Sequence, residues 1–253
     1  MQRYPFNEVY QQRRAQGFPG WHEEHLYPER IRRLLQFLDR NGGAPGDRVL
    51  VLGCGAGHTV LAIAQKGFRA FGIDISECAI SWARERLESA GMTADLRIGD
   101  VIDLEPYSAD AFDFVFDDYC LHCIIGSDRR TCCSNVYRVL KLGGVFHAGT
   151  ERMRRMIPAM SGPYRFDVQT QCLIRQGAPD TYYTREGELV EEVGRVGFTV
   201  VWAEQLPRQP AAPPCAQGRE WIDAVKPGVP PERRLGPSVH RRLSDDPLTE
   251  SPL

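Results

Sequence analysis

The amino-acid sequence predicts an α/β fold: a doubly wound, mostly parallel sheet with helices on both faces. Two observations carry this prediction. From roughly residue 45 to residue 150, short apolar runs rich in β-branched residues and leucine alternate with longer runs that have apolar residues at helical spacing. The short runs are apolar throughout, as strands buried on both faces are, and helical connections of this kind join parallel strands by right-handed crossovers.

The predicted elements follow in a regular order. Residues 1–44 predict one or two helices ahead of the sheet, an N-terminal helical cap. The first five strands are RVLVLG, AFGIDI, ADLRIGDV, FDFVFD and VFHAGT, which begin at residues 48, 70, 94, 112 and 145. Helices are predicted for TVLAIAQKG after the first strand, for ECAISWARERLESAG after the second and for SDRRTCCSNVYRVLKLGG after the fourth. EWIDAVKP, residues 220–227, predicts a last edge strand.

Composition predicts a soluble protein with one main domain over residues 45–227, since 42% of the 253 residues are hydrophobic and 25% are charged. A net charge of −2 does not indicate nucleic-acid binding, and no apolar run is long enough to cross a membrane. Ten of the eighteen prolines lie between Pro207 and Pro252, so we expect residues 228–253 to be a disordered proline-rich tail. Eight cysteines without a signal segment predict free thiols in a cytoplasmic protein.

Candidate ligand-binding residues lie where the strands end. Parallel sheets bind ligands beyond the carboxyl ends of their strands. GCGAG, residues 53–57, follows the first strand, where glycines allow a tight turn and a close approach to a ligand. Asp74 ends the second strand, placed to accept hydrogen bonds from a ribose diol, and Asp100 ends the third, where an adenine edge would lie. The spacing G-x-G-x-G differs from the G-x-G-x-x-G of dinucleotide sites, which argues against a nicotinamide cofactor.

With these motifs the chain resembles the class I S-adenosylmethionine-dependent methyltransferases. The matching segments are VLVLGCGAG, FGIDIS, RIGDV, FDFVFDDYCLHCI and RVLKLGGVF, in the family's order and spacing. The resemblance implies a Rossmann-like fold with a seven-stranded sheet, S-adenosylmethionine as the cofactor and methyl transfer as the activity. TYYTREGELVEEVGRVGFTVVWAEQLP resembles the family's late helix, with Thr184 as N-cap, and its sixth strand.

The resemblance also assigns the cofactor site. It implies that the glycines face the methionine part of the cofactor, that Asp74 holds the ribose hydroxyls, that Asp100 binds the adenine amine and that the Val101 backbone lies near the ring. The full set of cofactor-binding residues is Gly53, Cys54, Gly55, Gly57, Asp74, Ile75, Asp100, Val101 and Asp117. The sequence departs from the family at one position, because the family commonly carries an acid two residues before the first glycine and this chain has Val51.

DDYCLHCIIGSDRRTCC, residues 117–133, follows the fourth strand and predicts the reacting end of the site. His122 and Asp117 are the candidate catalytic residues, because an imidazole with its usual pKa suits proton transfer at neutral pH. Adjacent strand residues face opposite sides, so we expect Asp117 to line the pocket and Asp118 to face away. Helical spacing predicts that Cys132 and Cys133 lie in the helix core. The spacing does not fit a zinc site, and no metal is expected.

The substrate pocket is expected to draw on both ends of the chain. In this family the N-terminal segment usually closes over the cofactor, which makes Tyr10, Trp21 and His22 candidates for the pocket wall, and Tyr182 is a candidate at its mouth. The acceptor is predicted to be a small molecule, with no nucleic-acid or membrane partner. Three alternatives stay open: a methyltransferase of soft nucleophiles such as thiol, selenium or arsenic compounds, a non-catalytic S-adenosylmethionine-binding protein, and a metal-binding regulatory module.

Overall fold

The computed structural model describes residues 4–154, 164–175, 177–208 and 213–228 of the chain, so the predicted tail lies outside the described residues from residue 229 onward. The helices are α1 Phe6–Ala15, α2 Tyr27–Arg40, α3 His58–Gln65, α4 Glu77–Ser89, α5 Ser127–Val139 and α6 Glu188–Val196. The first five strands are β1 Arg48–Leu52, β2 Arg69–Asp74, β3 Asp95–Ile98, β4 Phe112–Asp117 and β5 Leu140–Met153. The later strands are β6 Tyr164–Asp167, β7 Cys172–Arg175, β8 Ala178–Thr184, β9 Thr199–Pro207 and β10 Ala216–Val225.

The predicted α/β class and mostly parallel central sheet are confirmed. Strands run in the order β3-β2-β1-β4-β5 with every pair parallel, and β10 and β9 extend this sheet from β5 as antiparallel neighbours. The predicted sheet had only these seven strands, and the observed sheet has more. A further three-stranded unit, β6-β7-β8, brings the sheet to ten strands.

The three additional strands stand over one end of the sheet. Strand β10 pairs with residues 145–153 along one side of β5. On the other side of β5, β4 is the neighbour at first, and β8 pairs with Glu151 and Arg152 beyond the end of β4. The antiparallel unit therefore rises above the carboxyl end of β4. This is the edge at which parallel sheets bind ligands.

Three predicted element positions are wrong. The helix predicted as SDRRTCCSNVYRVLKLGG ends at Val139, and its last five residues, LKLGG, begin β5. The first six residues of EWIDAVKP lie within β10, which ends at Val225. This strand is internal and pairs with both β5 and β9, and its near-continuous burial fits a strand with neighbours on both sides. The edge strand is β9, where no residue is fully buried. Thr184 ends β8 instead of capping a helix, because the β-branched and aromatic run TYYT continues as a strand, and α6 begins only after Gly187.

Two apolar layers cover the sheet. One face packs against α5 and α6 around residues that include Leu50, Val115 and Phe146. The other face packs against α2, α3 and α4 around residues that include Val51 and Phe114. Cys132 and Cys133 are fully buried in the first layer, which confirms that they are helix-core residues. No helix among the described residues is long and apolar enough to cross a membrane.

Candidate active site

A cavity of about 440 Å³ opens at the carboxyl ends of β1 to β4. Its floor comes from the loops after these strands, one side from the N-terminal cap and another from the β7–β8 hairpin. Its volume lies in the range of small-molecule sites. The predicted residues that line it are Gly53, Cys54, Gly55, Asp74, Ile75, Asp100, Val101, His122, Tyr10, Trp21 and His22.

The glycine loop forms a tight turn with close neighbours on both sides. Gly53 and Gly55 have φ of +62° and +51°, and a Cβ on Gly53 would lie 2.6 Å from the Cβ of Cys120. Gly57 differs from the other two, because it faces α4, where a Cβ would lie 2.8 Å from the Cβ of Ala83. The prediction that Gly57 faces the ligand is therefore wrong. Its missing side chain allows α3 to pack closely against α4.

Asp74 joins the glycine loop to the start of α4. Its carboxylate is buried and accepts hydrogen bonds from the backbone N–H groups of Gly55 and Ser76, each at 2.9 Å. Ser76 in turn caps α4 by accepting from the N–H of Ala79. Burial raises the pKa of Asp74 to about 6, although both backbone hydrogen bonds favour the ionised form and act in the opposite direction.

Ile75, Val101 and Asp100 form the part of the wall that follows β2 and β3. Ile75 is 43% exposed, which is unusual for a large aliphatic side chain, and together with Val101 it gives the cavity an apolar surface. Asp100 accepts a hydrogen bond from the backbone N–H of Ile102 at 3.0 Å. These residues offer apolar contact and a carboxylate at the same end of the cavity.

The two adjacent aspartates after β4 take the opposite positions to those predicted. Asp117 is fully buried outside the cavity, and its carboxylate accepts from the backbone N–H groups of Cys120, Leu121 and Gly149 at 2.8, 2.8 and 3.1 Å. Asp118 lines the cavity instead. The two side chains face opposite sides as predicted, but Asp118 and not Asp117 faces the cavity. The chain turns back after β4 through Tyr119, which has φ of +60°. Asp117 therefore holds the loop, and we correct its assignment as a catalytic and cofactor-binding residue.

Asp118 and Arg30 form an ion pair on the cavity wall. The Arg30 Nη1 atom lies 3.4 Å from Asp118 Oδ1, and the Thr59 hydroxyl donates to Asp118 Oδ2 at 2.9 Å. Burial raises the pKa of Asp118, and Arg30 and Thr59 act against this shift. Arg30 also donates to His22 Nε2 at 3.0 Å and lies 4.1 Å above the Tyr119 ring.

Three histidines line the cavity, and all are held in the neutral form. Burial, reinforced by nearby arginines, lowers the pKa of each to about 3 for His22, His58 and His122. The guanidinium of Arg30 can only donate, so Nε2 of His22 accepts and the ring proton lies on Nδ1. His58 stacks on Tyr27 with ring centroids 3.5 Å apart.

Sequence reasoning missed Arg219, which reaches the cavity from β10. Its guanidinium donates to Glu151 Oε1 at 2.6 Å and lies 5.1 Å from the centre of the Tyr119 ring. Arg219 is also a leading cause, after burial, of the lowered pKa of His122. No local motif marks it, since it is separated from Tyr119 by a hundred positions and meets it only through sheet pairing.

The cap places Tyr10 and Trp21 on the cavity as predicted, with ring centroids 5.1 Å apart. Tyr182 does not reach the cavity, so this prediction is wrong. Its ring lies under Arg129, and its hydroxyl donates to Glu188 at 2.5 Å. The neighbouring Thr181 lines the cavity instead, because successive strand residues face opposite sides.

Three cysteines reach the cavity as neutral thiols. Burial raises the pKa of Cys54, Cys120 and Cys123 above the usual range. This disfavours a thiolate redox centre at the C-x-x-C pair. Among the described residues, no group of three or more histidine, cysteine, aspartate or glutamate side chains is arranged to hold a metal ion.

The cavity fits S-adenosylmethionine. The glycine loop leaves its floor without side chains at Gly53 and Gly55, Asp74 provides a carboxylate beside that loop, and Ile75 with Val101 offers an apolar surface suited to a flat ring. The donor set therefore matches a ligand that joins a nucleoside to a polar, charged end.

Comparison with known proteins agrees with this fit. A family model described as a methyltransferase domain matches residues 49–144. Thiocyanate methyltransferase 1 of Arabidopsis thaliana is 31% identical over 199 residues, which cover 70% of this chain and 83% of that protein. An uncharacterized methyltransferase of Synechocystis and the ubiquinone biosynthesis O-methyltransferase of Hahella chejuensis are 33% and 36% identical, and the matches span only 46% and 34% of their lengths.

Solved structures share the fold. The 1,6-didemethyltoxoflavin-N1-methyltransferase of Burkholderia thailandensis, determined with S-adenosylhomocysteine bound, superposes with a TM-score of 0.64 at 21% identity, covering 88% of this chain and 86% of that one. The PH0226 protein of Pyrococcus horikoshii gives a TM-score of 0.65 at 20% identity, covering 79% of this chain and 91% of that one. With the motifs, the cavity and the relative matched over most of its length, these findings show that the chain belongs to the class I S-adenosylmethionine-dependent methyltransferases.

Proposed function

We propose that this protein transfers the methyl group of S-adenosylmethionine to a small molecule that is a soft or already ionised nucleophile, such as a thiolate or a thiocyanate-like anion. The observation that carries the proposal is the state of the cavity histidines. With pKa values near 3, His22, His58 and His122 are weak bases at neutral pH. A hydroxyl or ammonium acceptor needs a proton removed, and none of these three side chains is tuned to remove it.

Three further ionisable groups of the cavity, Asp74, Asp118 and Arg219, are also held by other residues. The carboxylate of Asp74 is held by two backbone N–H groups, and that of Asp118 by Thr59 and Arg30. The guanidinium of Arg219 lies beside Tyr119 and close enough to His122 to lower its pKa. Arg219 is itself paired with Glu151 at 2.6 Å, so an anionic acceptor would share this guanidinium with the Glu151 carboxylate.

The chemistry divides between the cofactor and the chain. When bound, S-adenosylmethionine supplies a methyl group on a positively charged sulfur, ready for in-line displacement. The chain's own residues then have to orient the acceptor and keep water out, and no metal or nucleophilic side chain is needed. Tyr10 and Trp21 of the cap give the cavity an aromatic wall, and Arg219, beside Tyr119, orients an anion. The similarity to a thiocyanate methyltransferase supports this choice of acceptor.

The test compares acceptors that differ only in the nucleophilic atom. Purified full-length protein is assayed with S-adenosylmethionine and thiophenol, phenol or aniline, with thiocyanate as a fourth acceptor. We expect the thiol to be methylated at least tenfold faster than the phenol and the aniline. Equal or faster methylation of the phenol or aniline would overturn the proposal. Binding of S-adenosylhomocysteine without turnover of any acceptor would favour a non-catalytic binding protein.

The role of His122 can be tested separately. A general base contributes roughly 10²- to 10⁴-fold to a rate, so His122→Gln should cost less than tenfold with the thiol if the acceptor arrives ionised. The pH dependence of turnover should then follow the pKa of the acceptor, shifting when a more acidic aromatic thiol replaces thiophenol. His25→Gln is the matched control, because the side chain of His25 is 69% exposed and lies outside the cavity lining. A loss of a hundredfold in His122→Gln would show that the histidine takes a proton.

A further inference from the structure

The chain lacks the acid that its family commonly carries two residues before the first glycine. Val51 occupies this position, fully buried in β1 between β2 and β4, where it packs in the apolar layer. An aliphatic side chain cannot pair with an ammonium group. The amino-acid end of S-adenosylmethionine, which the family's glycine loop faces, therefore needs another anionic partner in this protein.

Asp118 lies directly beside this position. Its backbone N–H donates to the carbonyl of Leu52 at 3.1 Å, so Asp118 is fixed next to the residue that precedes Gly53. Its carboxylate is only 7% exposed and lines the cavity, and Thr59 at the start of α3 orients one oxygen. Asp118 thus places a buried negative charge at the edge of the glycine loop.

Arg30 places a positive charge next to it. The 3.4 Å separation between Arg30 Nη1 and Asp118 Oδ1 is longer than the roughly 2.7–2.9 Å of a strong charge-assisted hydrogen bond. The Arg30 side chain is 12% exposed and is held in place from the other side by His22 and by the Tyr119 ring. The pair therefore presents a fixed carboxylate and a fixed guanidinium side by side, neither fully used by the other.

We propose that Asp118 and Arg30 together bind the amino-acid end of S-adenosylmethionine, Asp118 pairing with its ammonium in place of the acid missing at Val51 and Arg30 pairing with its carboxylate. A zwitterion carries both charges on one carbon, which matches two opposite charges held a few ångströms apart. The inference rests on the proposed function only in taking S-adenosylmethionine as the ligand. Because Arg30 belongs to α2, the same contact would fasten the N-terminal cap to the loaded site.

The test measures binding, not turnover, with three nucleosides. S-adenosylhomocysteine carries both charged groups, decarboxylated S-adenosylhomocysteine keeps only the ammonium, and 5′-methylthioadenosine has neither. Titration calorimetry on the full-length protein compares the wild type with Asp118→Asn and Arg30→Gln. Arg32→Gln is the matched control, since Arg32 lies on the same helix with a side chain 60% exposed.

The expected results form a cross pattern. Asp118→Asn weakens S-adenosylhomocysteine and its decarboxylated analogue by tenfold or more, and Arg30→Gln weakens only S-adenosylhomocysteine to that extent. Both variants bind 5′-methylthioadenosine within twofold of the wild type, and Arg32→Gln is unchanged with all three ligands. Equal weakening of all three ligands, or no weakening of any, would overturn the inference.

The two proposals fail in different ways. If the wild type binds S-adenosylhomocysteine with the cross pattern but methylates no thiol, the proposed function fails and the assignment of Asp118 and Arg30 stands. If thiols are methylated without the cross pattern, the assignment alone fails. If Asp118→Asn does not fold, Arg30→Gln still tests the inference, because it removes the same ion pair from the side of the cap. Thermal unfolding of each variant checks that the variant is folded.

Discussion

Cofactor affinity should depend on pH through Asp74. Burial holds the pKa of this carboxyl at about 6, and the ionised form accepts hydrogen bonds that the protonated form accepts less well. A ribose diol donating to the carboxylate would stabilise its charge and lower its pKa in the complex. Binding therefore favours the ionised form, and by linkage the affinity should rise with pH up to about pH 6 and level off above it.

The size of the effect follows from the ionised fraction. At about pH 5, one unit below the pKa, roughly one carboxyl in eleven is ionised in the free protein. If the complex stays ionised, the affinity at about pH 5 is roughly tenfold weaker than at about pH 7.5, equivalent to about 1.4 kcal/mol. The three cavity histidines have pKa values near 3 and stay neutral over this range.

Titration calorimetry with S-adenosylhomocysteine across this pH range measures the effect directly. Repeating it in two buffers of different ionisation enthalpy counts the protons, and we expect nearly one proton to be released at about pH 5 and almost none at about pH 7.5. Asp74→Asn should bind at least tenfold more weakly at about pH 7.5 and show a smaller pH dependence than the wild type, with any remainder coming from Asp118, whose pKa burial also raises. The reasoning is refuted if wild type and Asp74→Asn show the same pH dependence, or if the wild type shows none.

Two further predictions concern the framework around the site. Gly149→Ala should lower the free energy of unfolding by about 1–3 kcal/mol or more, because the new Cβ would overlap the buried ring of Trp221. Gly194→Ala should raise the free energy of unfolding by up to about 1 kcal/mol, because Gly194 lies in α6 with open space around it. A denaturant titration compares the two variants. Arg129→Ala should cost about 3 kcal/mol in the same assay, since it removes a buried guanidinium and leaves the carboxylate of Glu192 in α6, which is 15% exposed, without this partner. Arg195→Ala removes an exposed pair worth about 0.3–0.5 kcal/mol, and similar losses in both variants would contradict the argument.

The cofactor end of the cavity could be predicted from sequence because it is local. Gly53, Gly55, Asp74 and Asp100 lie at the end of a strand or in the loop that follows it, and parallel pairing brings these strand ends to one edge. Once the strands are identified, the position of each residue follows from its place in the chain. The motif spacing therefore carries real geometric information at this end.

Which of the two aspartates after β4 faces the cavity could not be predicted in the same way. Alternation requires Asp117 and Asp118 to face opposite sides, but the fold of the following loop decides which one faces the cavity. That loop turns at Tyr119 with positive φ, and Asp117 satisfies three backbone N–H groups within and beside it. Buried backbone donors need partners, and this requirement outweighed the expectation that the first acid would reach the ligand.

Part of the cavity wall was missed because it is assembled from distant parts of the chain, although Tyr10, Trp21 and His22 line the cavity as predicted. Arg219 arrives through β10, which is inserted between β5 and β9, and Thr181 arrives through the β6–β8 unit. Neither contact has a local sequence signal. Tyr182 was expected there on proximity to a motif, and strand alternation turns it away.

These two ends depend on each other through the cap. Helix α1 is joined to the start of α4 by Asn7, whose side-chain oxygen accepts from the Ser76 hydroxyl at 3.0 Å and the Cys78 N–H at 3.1 Å. Ser76 also donates its backbone N–H to Asp74, so the Asp74 carboxylate and the cap share one anchor. Helix α2 adds Arg30 on the other side of the glycine loop. The aromatic wall formed by Tyr10 and Trp21 is therefore connected to the residues that we propose bind the cofactor. If the acceptor binds against this wall, the connection favours an order in which the cofactor binds first.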